Sequence, residues 1–134
     1  MKSMLLMRVL ALGLTVATFA AEAQTWPSKP LRAIVPIAPG SMADIAARVV
    51  FEQVSTQLGQ PVIVENRPGA GQTIGASVVA KSEPDGYTLL VNSSAHAIAP
   101  SLYLNLNYHP ARDFAAVIPL GILPNVLVVP PAKG

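Results

Sequence analysis

Leu31-Arg32-Ala33-Ile34-Val35-Pro36-Ile37-Ala38-Pro39-Gly40-Ser41-Met42-Ala43-Asp44 is the stretch on which the fold turns. Its first seven residues are an apolar run rich in branched side chains, the pattern of a buried strand, ending near Pro36. Pro39-Gly40 then turns the chain. From Met42 to Leu58 the period becomes helical. Ala43, Ala47, Val50, Val54 and Leu58 recur on one face, while Asp44, Arg48, Glu52 and Ser55 hold the other. Asp44–Arg48 and Arg48–Glu52 are spaced for ion pairs, and Gly59 followed by Pro61 stops the helix.

The alternation continues outward from this unit. Val62 to Glu65 reads as a second strand, Asn66 to Gly71 as a Pro/Gly loop, and Thr73 to Lys81 as a helix weakened by Gly75. Glu83-Pro84-Asp85-Gly86 is a turn, Tyr87 to Val91 a third strand, and Asn92-Ser93-Ser94 leads into a short helix that Pro100 kinks or ends. Ala115 to Leu120 and Asn125 to Val129 are two further strand-like runs. The order β-α-β-α-β-α-β-β predicts an α/β domain with a mostly parallel sheet flanked by helices on both faces.

Upstream, residues 1–23 read as a cleavable secretory signal. Lys2 and Arg8 give a positive start, Val9 to Ala20 is free of charge, and Ala21-Glu22-Ala23 supplies the small residues of a cleavage site. The run is short for a bilayer of about 20 residues. Removal leaves seven basic and six acidic residues, a net charge of +1, in a chain without cysteine. Disulfides, thiol nucleophiles, zinc ribbons and iron–sulfur ligation by this chain are excluded. No basic run offers a footing for nucleic acid, and an aromatic share of 5% makes a base-stacking surface improbable. Export without disulfides suits a bacterial periplasm.

In a parallel sheet every strand-to-helix loop lies at the carboxyl edge of the strands, where open α/β sheets bind ligands. Pro39-Gly40-Ser41, Asn66 to Gly71, and Asn92-Ser93-Ser94 are those loops. Each places small or polar residues before a helix, whose first N–H groups lack partners and carry partial positive charge. Such a start can hold a carboxylate or phosphate without Arg or Lys. Ser41-Met42-Ala43-Asp44 also suits a capping box, Ser41 accepting from the Asp44 N–H and Asp44 returning the bond. That role alone is worth about 1 kcal/mol, and the same ambiguity attaches to Ser93 and Ser94. Arg67 has the fork for a carboxylate, or for a structural partner.

Enzyme chemistry is thin. The two histidines, His96 and His109, belong to no metal or triad pattern, and no metal or cofactor is expected. Gly69-Ala70-Gly71-Gln72-Thr73-Ile74-Gly75 superficially suits a dinucleotide, but the next strand ends in Leu89-Leu90-Val91-Asn92, without the acid that would hold a ribose. A dinucleotide-binding enzyme domain and a small partner-binding module remain open as readings beside an anion-holding site.

An ordered set of motifs resembles the periplasmic substrate-binding receptors of tripartite tricarboxylate transporters, the Bug family. It comprises Trp26-Pro27-Ser28-Lys29-Pro30, Ile34-Val35-Pro36 with Pro39-Gly40 and Asp44, and Leu58-Gly59-Gln60-Pro61-Val62. Val64-Glu65-Asn66-Arg67-Pro68-Gly69-Ala70-Gly71, Pro84-Asp85-Gly86-Tyr87-Thr88-Leu89-Leu90 and His96-Ala97-Ile98-Ala99-Pro100-Ser101-Leu102-Tyr103 follow. Tyr108, Pro110, Asp113-Phe114 and Pro124 to Val129 complete it. The resemblance implies one half of a periplasmic-binding-protein-like clam: 24–125 as the first ligand-binding domain and 126–134 as the start of a crossover to a second domain beyond this chain. It implies a monomeric receptor that captures a small organic acid (a mono-, di- or tricarboxylate) and delivers it to membrane transporter subunits. Backbone groups, hydroxyls and bridging waters would do the holding. The candidate ligand contacts are Ala38, Pro39, Gly40, Ser41, Asp44, Ser93, Ser94 and His96, with Asn66 and Arg67 beside them. Two departures stand out. Ser41 occupies a position that is usually a second glycine, and Gln72 follows Gly71 where paired glycines are common. With half a cleft, the chain alone is expected to bind weakly or not at all.

Overall fold

The computed structural model describes residues 25–122, 124 and 126–128. The signal-like segment and most of the expected crossover lie outside the described residues. Strands and helices alternate as β1 (Leu31–Val35), α1 (Met42–Leu58), β2 (Val62–Asn66), a 3-10 turn (Ala70–Gln72), α2 (Thr73–Ala80), β3 (Thr88–Leu90) and α3 (Ser94–Leu102). The three strands form one parallel sheet in the order β2-β1-β3, with Ala33 opposite Val64 on one side and Leu89 on the other.

This order sets the layers. The chain steps from β1 outward to β2 through α1, then back across β1 to β3 through α2. Parallel crossovers are right-handed, so two steps in opposite directions put their helices on opposite faces. Side chains follow suit. Ala33 and Val35 of β1 are buried with Ala47 and Phe51 of α1 and with Val91, and Val54, Val62, Val64 and Leu89 pack around them. The alternate β1 residue Ile34 is fully buried on the other face. There α2 rides so close to Pro36 that a Cβ on Gly75 would fall 2.6 Å from the Pro36 Cβ. Gly75, which weakens the helix on propensity, is what lets it approach the sheet.

The expected α1 is formed from its first residue to its last. Ser41 is its N-cap and Gly59, at φ 66°, ends it in the left-handed conformation. Ser55 joins helix to sheet, donating to the Phe51 carbonyl at 2.6 Å and accepting from the Val62 N–H at 2.9 Å. Pro100 does not end α3 at once. It lies in the last turn, where it forfeits one backbone bond, and the helix runs on to Leu102.

Three expectations need correction. Asp44, placed by periodicity on the polar face of α1, is buried, 2% exposed. Arg48 turns to Asp44 and Asn66 rather than to Glu52. Ala115 to Leu120 and the described residues 126–128 of the second run form no strand. β-propensity marks a segment that can pair but supplies no partner edge, and Pro119 lacks a ladder donor. Val117 and Ile118 are left 82% and 71% exposed. Among the described residues the order is therefore three β-α units followed by unpaired chain.

Candidate functional site

The exits of the neighbouring strands β1 and β3 diverge. The first leads into α1 on one face; the second leads into α3, which packs against α2 and the 3-10 turn on the other. Between them lies the topological switch point, the crevice where such sheets take ligands. Its walls are the loops 36–41 and 91–94. Ala38, Pro39, Gly40 and Ser94 are all exposed, so the rim is open to solvent.

The first loop is built around Asp44. Ser41 Oγ accepts from the Asp44 N–H at 3.3 Å. The return bond of the expected capping box is displaced by one residue: Asp44 Oδ2 accepts from the Gly40 N–H at 2.8 Å. Arg48 Nε donates to both carboxylate oxygens at 3.1 Å, and Asn66 Nδ2 donates to Oδ1 at 2.9 Å. Arg48 foremost, then the Gly40 N–H and Asn66, hold the Asp44 carboxyl down to about 2 against the opposing effect of burial. The charge of Asp44 is thus compensated within the protein. It shapes the loop and presents no bare carboxylate to an incoming anion. With the Ile45 N–H on the Ser41 carbonyl at 2.9 Å, the first-turn amides of Met42 and Ala43 are the ones for which the helix itself has no acceptor.

Asn66 is committed as fully. Its amide also donates to the Ile37 carbonyl at 3.1 Å, and its Oδ1 accepts from Arg48 Nη2 at 2.9 Å. It ties the second loop to the first. Arg67 donates to Glu65 Oε2 at 3.1 Å and remains half exposed. Glu65 also takes the two-pronged fork of Arg32, at 2.8 and 3.1 Å. Arg32 before all, with Arg67, holds the Glu65 carboxyl down to about 2.

In the third loop Ser93 caps α3, its Oγ accepting from the Ala95 N–H at 3.3 Å. Gln72 reaches the same hydroxyl at 2.9 Å. Gln72 stood out in the sequence only as a departure from paired glycines, with no role attached to it. His96 is drawn into an aromatic cluster instead of the rim. Its ring stacks on Tyr108 (centroids 5.9 Å apart, planes 10° apart) and meets Phe114 edge-on at 4.8 Å. Its Nε2 lies 3.2 Å from the Pro110 carbonyl. The parallel order therefore puts Ala38, Pro39, Gly40 and Ser41 at the exit of β1 and Ser93 and Ser94 at the exit of its neighbour β3; Asp44 and Asn66 brace the first loop, and Arg67 stays on Glu65.

The dinucleotide-like glycines have protein neighbours of their own. A Cβ at Gly69 would lie 2.5 Å from the Ile74 Cδ1, and one at Gly71 2.6 Å from the Tyr103 hydroxyl. Positive φ at Gly69 and Gly71 and the close approach of Gly75 to Pro36 account for all three. Among the described residues no group of three His, Asp or Glu could hold a metal, and no helix is long and apolar enough to cross a membrane.

Comparison with known proteins agrees with this fold. The family model described as tripartite tricarboxylate transporter family receptor matches residues 46–134. The chain belongs to that receptor family. It is 42% identical to BugT of Bordetella pertussis over 130 residues, covering 94% of this chain and 40% of the relative. Two solved structures from Rhodopseudomonas palustris are similar in fold. MatC with bound malate has a TM-score of 0.62 at 39% identity, over 66% of this chain and 31% of its own. Rpa4515 with adipate has a TM-score of 0.61 at 34% identity, over 64% and 29%. The family is one of solute-binding receptors, and the three-stranded sheet with its helices is a periplasmic-binding-protein architecture. The chain spans about two fifths of the length of the curated relatives it matches.

Proposed function

We propose that residues 24–125 are the first ligand-binding domain of an extracytoplasmic receptor that captures a small organic carboxylate for a tripartite tricarboxylate transporter. Residues 126–134 begin the crossover to a second domain, and residues 1–23 direct export to the periplasm. The protein binds and delivers; it carries out no reaction on its ligand. What supports the reading is the parallel order β2-β1-β3, which starts α1 and α3 from the same edge of neighbouring strands, together with an Asp44 carboxylate already compensated by Arg48, the Gly40 N–H and Asn66. A carboxylate there receives N–H and O–H donors, directly or through water, and meets no uncompensated negative charge. The malate and adipate held by two similar structures point to dicarboxylates as the first ligands to try.

Half a cleft leaves one side of the ligand in water, so affinity is low, with a dissociation constant of about 1 mM or weaker, worth at most roughly 4 kcal/mol. Saturation-transfer NMR of residues 24–134 with malate, adipate and NAD separates the readings. Saturable signals from either dicarboxylate, and none from NAD, are expected. A response to NAD with silence from both dicarboxylates would overturn the proposal. Titration calorimetry supplies the second limit: tight binding by this chain alone contradicts the half-cleft reading.

A further inference from the structure

The loop between β2 and α2 contains a residue the foregoing site does not use. Gly69, Ala70, Gly71 and Gln72 follow one another at positive φ, namely 131°, 43°, 60° and 76°. Glycine tolerates such angles, whereas a side chain there strains the backbone, and such strain persists only where surrounding contacts hold it. At Gln72 those contacts are explicit. Its Nε2 donates to Ser93 Oγ at 2.9 Å, and Ser93 Oγ donates to its Oε1 at 3.1 Å. The Ala95 N–H donates to the same oxygen at 3.3 Å. A serine hydroxyl has one hydrogen and two lone pairs, so Ser93 is saturated. Because both ends of the amide meet one hydroxyl, flipping the amide exchanges the two bonds and leaves the clamp intact. Tyr103, just beyond α3, presses on the same loop at Gly71. Ser94, the next residue after Ser93, is exposed.

We infer that Gln72 is a positioning residue of the solute site: it saturates the Ser93 hydroxyl, locks the mouth of α3 against the β2–α2 loop, and so leaves direct contact with an arriving carboxylate to Ser94. The inference rests on the receptor reading above. A bare Ser93 hydroxyl could rotate toward the crevice and compete with Ser94; the clamped one cannot.

The test uses the full chain, isotope-labelled, with and without malate. Without ligand, Gln72→Gly relieves the left-handed strain and removes the clamp, so melting temperature holds or rises while amide exchange at Ala95 accelerates about fivefold. Gln72→Asn tolerates the same backbone angles but falls one methylene short, and also accelerates exchange. Gln72→Glu keeps the reach and one acceptor, and restores part of the protection. With malate titrated by chemical shift, Gln72→Gly and Ser93→Ala each weaken binding by the same factor, about fivefold, and together by no more than one of them. Ser94→Ala weakens it independently, multiplying the effect of either. Unchanged Ala95 exchange in Gln72→Gly overturns the clamp. Multiplying effects of Gln72→Gly and Ser93→Ala overturn the assignment of Ser93 as a clamped, non-contacting residue. A parent chain that responds to NAD and to neither malate nor adipate overturns the receptor reading and the role of Ser94 with it, while the exchange measurement still decides the clamp.

Discussion

At the scale of single residues, Asp44 organises more of the crevice than any other side chain. One carboxylate orders the Gly40 turn, fixes Arg48 and draws Asn66 across from β2. Asp44→Asn keeps the shape but sets an amide N–H against donors, so the Gly40 turn and Asn66 lose their anchor. The expected result is a lower melting temperature with weaker malate response, read by calorimetry and shift titration. Asp44 and Glu65 are both held at about 2, below their ordinary 3.8 and 4.5. Groups lowered by folding contribute stability that is complete above their unfolded values and is lost as pH falls through the folded ones. Acid unfolding should therefore set in below about pH 4.5 and deepen toward pH 2. Asp44→Asn should flatten that slope, and an unaltered slope would show that the carboxylate is not the linked group. Helical spacing puts Asp44 on the solvent face because it records only local polarity. The partner that buries it, Asn66, arrives from 22 residues farther along.

Among the elements, α1 was fully legible, and its boundaries follow from three agreeing local signals: Ser41 before it, an apolar period through it, and Gly59 after it. The loops of the crevice were legible for a topological reason, since parallel order leaves them no other edge. The clamp between Gln72 and Ser93 was not, because two side chains 21 residues apart meet only once α2 and α3 have packed. Ala115 to Leu120 and the described residues 126–128 stay unpaired, because a strand is a property of a pair. Gly75 offers a test of how closely α2 sits. Alanine there would gain roughly 1 kcal/mol in helix propensity, yet its Cβ would fall 2.6 Å from Pro36 and 3.0 Å from the Arg67 carbonyl. Overpacking costs about 1–3 kcal/mol, and both contacts are with groups that cannot swing away. Gly75→Ala should lower the melting temperature; a rise would mean that α2 stands farther off the sheet.

For the whole molecule, the described surface is uneven. The loop residues Ala38, Pro39, Gly40 and Ser94 are small or polar and exposed, whereas among the described residues beyond α3 Val117, Ile118, Ile122, Val126, Leu127 and Val128 are exposed. Apolar exposure on this scale is the mark of an interaction surface. The central claim is that backbone amides at the mouths of α1 and α3 receive the ligand's carboxylate. Amide shift mapping of the labelled chain during a malate titration tests it most directly. The account predicts saturable shifts concentrated at Gly40, Met42, Ala43 and Ser94; shifts scattered over both faces, or confined to the exposed arginines, would contradict it.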